Sequence, residues 1–281
     1  RQRQMCIRDS LYTVPKKKLH NHPVSGFIPG IYNFCDRWCE KCSYKANCLS
    51  YTMEKKFKER EGEDSERNVM HLRDSFWNYW EYICRSAYDV VQDIAKERGV
   101  GIEDIYLAEP LREEGLWHKF GTEISDDEDE YSYIETFDIV NICQLYEVLA
   151  EECLDEIFGF LDEQDWKEGS EEVKITEEAL EVINWYLDTI QPKIREALFD
   201  CLRKDNAVAE AMPGKEYNGS AKVALICVIR SVDAWNVLEK YCHPLAVDIQ
   251  HIKVVLEQLE KEVDYQFPYA RTFLRPGFDT I

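Results

Sequence analysis

Apolar residues recur at steps of three and four over most of the chain, and this helical period constrains the fold more than any other feature. It is clearest between His71 and Gly99, where the apolar face has an aromatic-rich start: Phe76, Tyr79, Trp80, Ile83, Ala87 and Val90. Such spacing places these side chains on one face of a helix. Alternating apolar and polar residues never extend beyond a few positions. The sequence therefore predicts an all-α fold.

Further helices are predicted at 133–160, 176–204, 221–242 and 245–263. Thr176 and Ser220 are the expected N-caps of two of them, since hydroxyl side chains accept hydrogen bonds from first-turn N–H groups. Pro192 is expected to kink or divide its helix near Thr189 to Gln191. The expected architecture is a bundle of four to five long helices with a small irregular N-terminal cysteine-rich lobe.

The predicted organisation has four parts. Residues 1–10, "RQRQMCIRDS", look like translated sequencing-adapter read-through from metagenomic data and are set aside as an artefact. Residues 11–60 form the cysteine-rich metal or cluster lobe, residues 61–70 a charged linker, and residues 71–281 the acidic helical bundle. The lobe and the bundle are therefore expected to be separate units.

Charge is unevenly distributed along the chain. Residues 1–60 carry 13 Lys and Arg against 5 Asp and Glu, whereas residues 61–281 carry 21 against 50. The acidic residues 61–281 repel phosphate backbones, and binding to duplex nucleic acid is therefore not expected outside the first sixty residues. An acidic surface favours solubility, and it also suits docking of a basic protein partner.

Cysteine usage and hydropathy indicate a cytoplasmic protein that does not enter a membrane. The longest apolar run, Val223 to Ile229, is far shorter than a membrane span. The 11 cysteines are an odd number, and no secretory signal precedes them. Six lie singly in helical patterns, where cysteine usually acts as a small core residue: Cys84, Cys143, Cys153, Cys201, Cys227 and Cys242.

Four cysteines stand apart from the others, within the stretch "FCDRWCEKCSYKANCLSY". Cys35, Cys39, Cys42 and Cys48 have the spacing C-x3-C-x2-C-x5-C. Cysteines two or three residues apart can turn their sulfurs toward one point, and thiolates bind soft cations and iron–sulfur clusters. A reducing compartment gives little reason for two local disulfides. We expect these four residues to form one complete ligand set, which we call the ligand loop.

The spacing favours a cluster over zinc. Structural zinc sites usually combine two C-x2-C pairs from separate places, and this stretch has one such pair, Cys39 with Cys42. Iron–sulfur clusters more often take three or four ligands from one short loop. The expected cofactor is a [4Fe–4S] cluster, with zinc as the alternative.

The core of the ligand loop, "CEKCSYKANC", has the pattern C-x2-C-x-aromatic-x3-C. It resembles the [4Fe–4S] ligand loops of the auxiliary (SPASM) domains of radical-SAM maturases and of the cysteine-rich ends of CRISPR-associated and recombination nucleases. The resemblance implies that Cys39, Cys42 and Cys48 ligate iron and that a fourth cysteine comes from outside this core, a place that Cys35 can take. It covers about ten residues, so it implies the cluster and neither catalytic activity.

A second, weaker metal site is suggested near the last helix. Asp248 and His251 lie one helical turn apart, and His243 precedes them. The Glu-x-x-His pairs that di-iron bundles require occur nowhere in the chain. Catalytic residues are not identifiable from the sequence.

The sequence is compatible with three functions. The first is a cytoplasmic bacterial iron–sulfur protein with a redox, sensing or cluster-organised interaction role. The second is a zinc-stabilised acidic module that binds a protein partner. The third is an enzyme with its site between bundle helices.

Overall fold

The computed structural model of the chain describes residues 25–61, 76–106, 133–164, 166, 169–204 and 214–279. Within these ranges the regular structure is entirely helical, which confirms the all-α prediction. The described residues contain seven α-helices, namely α1 Leu49–Glu61, α2 Phe76–Arg98, α3 Ile102–Tyr106, α4 Asp138–Asp162, α5 Glu171–Lys204, α6 Glu216–Tyr241 and α7 Ala246–Gln266. No helix in this part of the chain combines the length and apolarity needed to cross a membrane. The predicted artefact at 1–10 and all of the predicted linker beyond Glu61 lie outside the described residues.

The chain divides into two compact units, and the division differs from the boundary predicted near residue 70. Among the described residues, the first unit contains 25–61, 76–106 and 275–279, and the second contains those between 133 and 274. Helix α2, which the sequence assigned to the bundle, thus belongs with the cysteine-rich residues. The physical reason is its apolar face, because Val90, Val91 and Ile94 pack in one core with Phe27 and Leu49.

The second unit is a bundle of the four long helices α4 to α7. Helix α4 packs against α5 and α7, and α6 packs against the same two helices. At the centre, the indole Nε1 of Trp235 donates a hydrogen bond of 3.4 Å to the hydroxyl of Tyr146, and both side chains are almost completely buried. Four of the single cysteines are buried in this unit, as predicted: Cys143, Cys153, Cys227 and Cys242.

Several local expectations about the bundle helices are wrong. Helix α5 begins at Glu171, where the N–H of Val173 bonds to Ser170 Oγ. Thr176 lies inside the helix, and its hydroxyl donates to the carbonyl oxygen of Glu172. Helix α5 is also continuous through Pro192, so the division expected there is absent, while the alternative expectation of a kink stays a prediction.

The predicted start of α6, at residue 221, is also wrong. This helix begins at Glu216, so Ser220 is a buried residue of its second turn and not a cap. Tyr217 and Ala221 are buried on either side of it. Burial against the rest of the bundle extends the helix toward its N-terminus past residues that locally favour a turn.

Candidate metal centre

The ligand loop alternates short turns with the four cysteines, so that each thiol is held at a change of chain direction. Cys35 follows a 3₁₀ turn, Ile31–Phe34. Cys48 follows a second one, Lys45–Asn47, and immediately precedes helix α1. Between them, the N–H of Cys42 bonds to the carbonyl oxygen of Cys39. The loop is thus irregular, as the sequence predicted, and compact.

All four cysteines of the ligand loop line one cavity. Its empty space is about 320 Å³, part of which is open to solvent. Cys35, Cys39, Cys42 and Cys48 are half-buried free thiols. The aromatic part of the wall is formed by Tyr32, Trp38, Tyr51 and Phe278. The structure therefore brings together the four residues that the sequence singled out.

Backbone N–H groups point at three of the four sulfurs. The N–H of Tyr44 donates to Cys42 Sγ at 3.4 Å. The N–H of Arg37 bonds to the thiol of Cys35 and lowers its pKa, although burial raises that pKa more strongly. Donors of this kind stabilise the charged form of sulfur.

Cys48 is the N-cap of helix α1, which explains its donors. Its carbonyl oxygen accepts the N–H of Thr52, the first hydrogen bond of the helix. The N–H groups of Ser50 and Tyr51 bond to the thiol and lower its pKa, against a larger increase caused by burial. First-turn N–H groups have no partner within a helix, and the helix N-terminus favours negative charge. The end of α1 is therefore suited to a thiolate at this position.

Arg37 adopts a backbone conformation that is rare for its residue type. Its φ is 56°, and no other described residue except glycine has a positive φ. The turn is held by the bond from the Cys39 N–H to the Arg37 carbonyl oxygen, at 2.8 Å. The Trp38 N–H also bonds to Asp36 Oδ1, at 3.2 Å. This left-handed residue lies between the first two cysteines, and such strain is often found at functional sites.

The thiols oppose one another's ionisation. The pKa of Cys39 is raised to about 11, mainly by burial and then by the charges of Cys35, Cys48 and Cys42, in that order. Burial is also the main cause that raises the pKa of Cys48. A cation bound among the sulfurs would relieve both effects, because it replaces the protons and offsets the mutual repulsion.

The aromatic and basic residues interleaved with the cysteines divide into two groups. Trp38 is only 7% exposed and forms part of the wall of the cavity. Lys41 Nζ lies 4.4 Å from the centre of its ring, while the side chains of Arg37 and Lys45 are exposed. Aromatic groups thus shield the thiols, and cations lie around the opening.

Two supports of the ligand loop come from distant parts of the chain, and sequence reasoning missed both. Arg98, the last residue of α2, donates to the carbonyl oxygens of Ser25 and Ala46 at 2.7 and 2.8 Å. Phe278, near the end of the chain, lines the cavity and packs edge-on against Tyr44. The sequence around Phe278, "RPGFD", signals a turn but not the surface on which the turn packs.

Neither predicted ligand set forms a closed coordination shell in the structure. Among the described residues, no group of three or more His, Cys, Asp or Glu side chains is arranged to hold a metal ion as it stands. His243, Asp248 and His251 are all exposed. The ligand-loop cysteines differ from these three residues because they share a walled cavity.

Comparison with known proteins adds no assignment. No protein-family model matches the chain, and neither a curated protein nor a solved structure matches it.

Proposed function

We propose that this chain is an iron–sulfur protein that binds one [4Fe–4S] cluster through Cys35, Cys39, Cys42 and Cys48, and that the cluster has a redox or sensing role. The observation that carries the proposal is that four thiols line one cavity. Three of these thiols, those of Cys35, Cys42 and Cys48, also receive backbone N–H groups.

The donor set fits a thiolate-bound cluster chemically. Four sulfurs supply one ligand for each iron, and backbone N–H groups near ligating sulfurs help to set cluster potentials. Tyr32, Tyr51 and Trp38 limit the approach of water, while Arg37 and Lys45 supply positive charge at the same cavity. The four thiols are only half-buried, so we expect their side chains to turn between staggered rotamers when they close on one group.

A cluster is favoured over zinc by the origin of the ligands. All four cysteines come from one short irregular loop with a single C-x2-C pair, which is typical of clusters and unusual for structural zinc. The resemblance of Cys39, Cys42 and Cys48 to known [4Fe–4S] ligand loops supports the same choice.

The partial opening of the cavity supports a redox or sensing role. A cluster near solvent can exchange electrons with a docked protein or be lost when conditions become oxidising. Residues 61–281 carry 50 acidic against 21 basic side chains. Such a surface suits a basic protein partner, and it does not suit duplex nucleic acid.

The test is anaerobic purification followed by iron, sulfide and zinc analysis. The expected result is a coloured protein with iron and sulfide in equal amounts, about four of each per chain. A colourless protein with stoichiometric zinc would refute the cluster and leave the zinc-stabilised module in its place.

Serine variants of the ligand-loop cysteines test which of them bind the cluster. Cys39→Ser, Cys42→Ser and Cys48→Ser should each lose most of the iron and the visible absorption. Cys201→Ser is the matched control, because Cys201 is also a half-buried cysteine but lies on α5 in the second unit. Equal iron content in the control and in all ligand-loop variants would contradict the assignment.

A further inference from the structure

The last described residues of the chain belong to the same unit as the ligand loop. Helix α7 and the residues up to Leu274 are part of the second unit, whereas the segment Arg275–Asp279 is grouped with the cysteine-rich residues. We call Arg275–Asp279 the C-terminal segment. The segment lies against Ile28, Ile31 and Tyr44 of the first unit.

The C-terminal segment is closed by an ion pair at its two ends. The backbone N–H and the Nε of Arg275 donate to Asp279 Oδ2 at 2.9 and 3.1 Å, and Nη2 donates to Oδ1 at 3.1 Å. The two side chains are only 12% and 19% exposed. The Arg275 guanidinium also lies 4.9 Å from the ring centre of Phe278. These bonds close the turn and place the guanidinium of Arg275 beside the ring of Phe278.

The middle of the C-terminal segment fits closely against the first unit. Gly277 has a φ of 76°, a conformation that side-chain-bearing residues rarely adopt. A Cβ added there would lie 2.9 Å from Ile31 Cδ1 and 3.1 Å from Ile28 Cγ2. Glycine at this position therefore allows the backbone to approach the residues that precede the ligand loop.

Phe278 reaches the cavity itself. Its ring packs edge-on against Tyr44, with ring centres 5.2 Å apart and planes at 79°. Tyr44 is the residue whose N–H donates to Cys42 Sγ. Phe278 also lines the cavity together with the four ligand-loop cysteines. One aromatic contact thus links the end of the chain to a ligand sulfur.

We infer that the C-terminal segment is the outer wall of the ligand cavity and that Phe278 limits the access of solvent and oxidants to the thiols and to the group they bind. The inference rests on the proposed function for its biological meaning. The shielding itself is a property of the chain and can be measured without a bound group. A shield of this kind sets how readily a cluster is lost in air, which is the property that a sensing role depends on.

The first test measures thiol access in the metal-free full-length chain. Alkylation by iodoacetamide is followed by mass spectrometry on peptides that contain the ligand-loop cysteines, with Cys201 as the internal reference. Phe278→Ala should increase ligand-loop alkylation at least about threefold, because an edge-to-face aromatic pair is strong enough to shift an opening equilibrium by that factor. Gly277→Val should have a similar effect, because a valine side chain would meet Ile31 and is strained at a φ of 76°. Phe278→Leu retains most of the bulk and should give a smaller increase.

Two control variants separate shielding from general loosening. Tyr265→Ala removes an aromatic ring that is 78% exposed and should leave alkylation unchanged. Met53→Ala removes a side chain that packs on the core of the first unit and does not line the cavity. If Met53→Ala increases ligand-loop alkylation as much as Phe278→Ala does, the shield is overturned. Unchanged alkylation in both Phe278→Ala and Gly277→Val overturns it as well.

The second test uses the loaded protein and keeps the two proposals distinguishable. Phe278→Ala should bind iron to the same level as the unaltered chain under anaerobic conditions and lose its colour at least about threefold faster in air. Equal loss rates would overturn the shield while leaving the cluster in place. A chain that binds no iron would refute the proposed function, and the alkylation measurement would still decide whether Phe278 covers the cavity.

Discussion

Arg98 Nη2 donates a hydrogen bond of 2.8 Å to the carbonyl oxygen of Ala46, two residues before Cys48. Through Nη1 the same guanidinium bonds to the carbonyl oxygen of Ser25, and its Cζ lies 3.6 Å from the ring centre of Phe27. The end of α2 thus joins the chain before the ligand loop to the part of the loop between Cys42 and Cys48. A planar group with several donors is suited to bridging two carbonyl oxygens.

Replacing Arg98 should weaken the first unit. Arg98→Lys should lower its free energy of unfolding by about 2 kcal/mol, because an ammonium group cannot bridge both carbonyl oxygens and hydrogen bonds to charged donors are among the stronger ones. Urea unfolding of the full chain, followed by a probe in the first unit, measures the change. Lys96→Gln, on the exposed surface of the same helix turn, is the control. Equal stability of the two variants would show that the bridge contributes little.

The positive φ of Arg37 predicts that glycine and valine at this position differ in their effect on stability. Arg37→Gly should change the stability of the metal-free protein little, because glycine adopts φ of 56° freely and this gain offsets its greater freedom when unfolded. Arg37→Val should destabilise it by about 1–2 kcal/mol, since a β-branched residue is strained in this region. Thermal unfolding of both variants tests the prediction. A glycine variant less stable than the valine variant would contradict it.

The start of helix α5 can be tested through its cap. Ser170→Ala should lower the stability of the second unit by about 1 kcal/mol, because the N–H of Val173 loses its acceptor. Ser170→Asp should retain the cap, as a carboxylate accepts the same bond and is favoured at a helix N-terminus. Denaturant unfolding of the two variants is compared. Loss of stability in the aspartate variant with none in the alanine variant would refute the cap.

The bundle should lose stability at alkaline pH. Burial raises the pKa of Cys143 and of Tyr146 to about 12, so both groups keep their protons in the fold at a pH where the unfolded chain releases them. For Cys143 the loss begins near pH 9 and continues toward pH 12, with a slope of about 1.4 kcal/mol per pH unit. Stability is fully present below this range.

The alkaline slope can be assigned by substitution. Cys143→Ser should reduce the slope of unfolding free energy against pH between about pH 9.5 and 10.5, because serine does not ionise there. Equal slopes in the unaltered chain and in Cys143→Ser would exclude this thiol as a source of the pH dependence.

Local pattern was sufficient to find the helices and the ligand loop. The period of three and four located α2, whose predicted end at Gly99 agrees with a helix that stops at Arg98, and Gly99 has the positive φ of a helix C-terminal stop. The short spacing of Cys39, Cys42 and Cys48 made a shared location possible, and in the structure the three residues line one cavity with Cys35.

Local pattern failed where burial outweighs the preference of single residues. Thr176 and Ser220 have the chemistry of helix caps, yet both are buried inside helices. Pro192 lies within a continuous helix for the same reason, since the apolar faces of α5 extend on both sides of it, with Ile190 and Ile194 buried. Packing over many residues stabilises a helix more than one unfavourable residue destabilises it.

The sequence by itself determined the helical class and the grouping of the four ligand-loop cysteines, because both follow from the spacing of residues that lie close together in the chain. Only the tertiary structure decided that α2 belongs with the cysteines, that Arg98 joins their loop to the chain before it, and that Phe278 lies at their cavity. These contacts join residues separated by dozens to hundreds of positions. Whether such residues meet depends on how the apolar faces pack, and no local pattern in the chain specifies it.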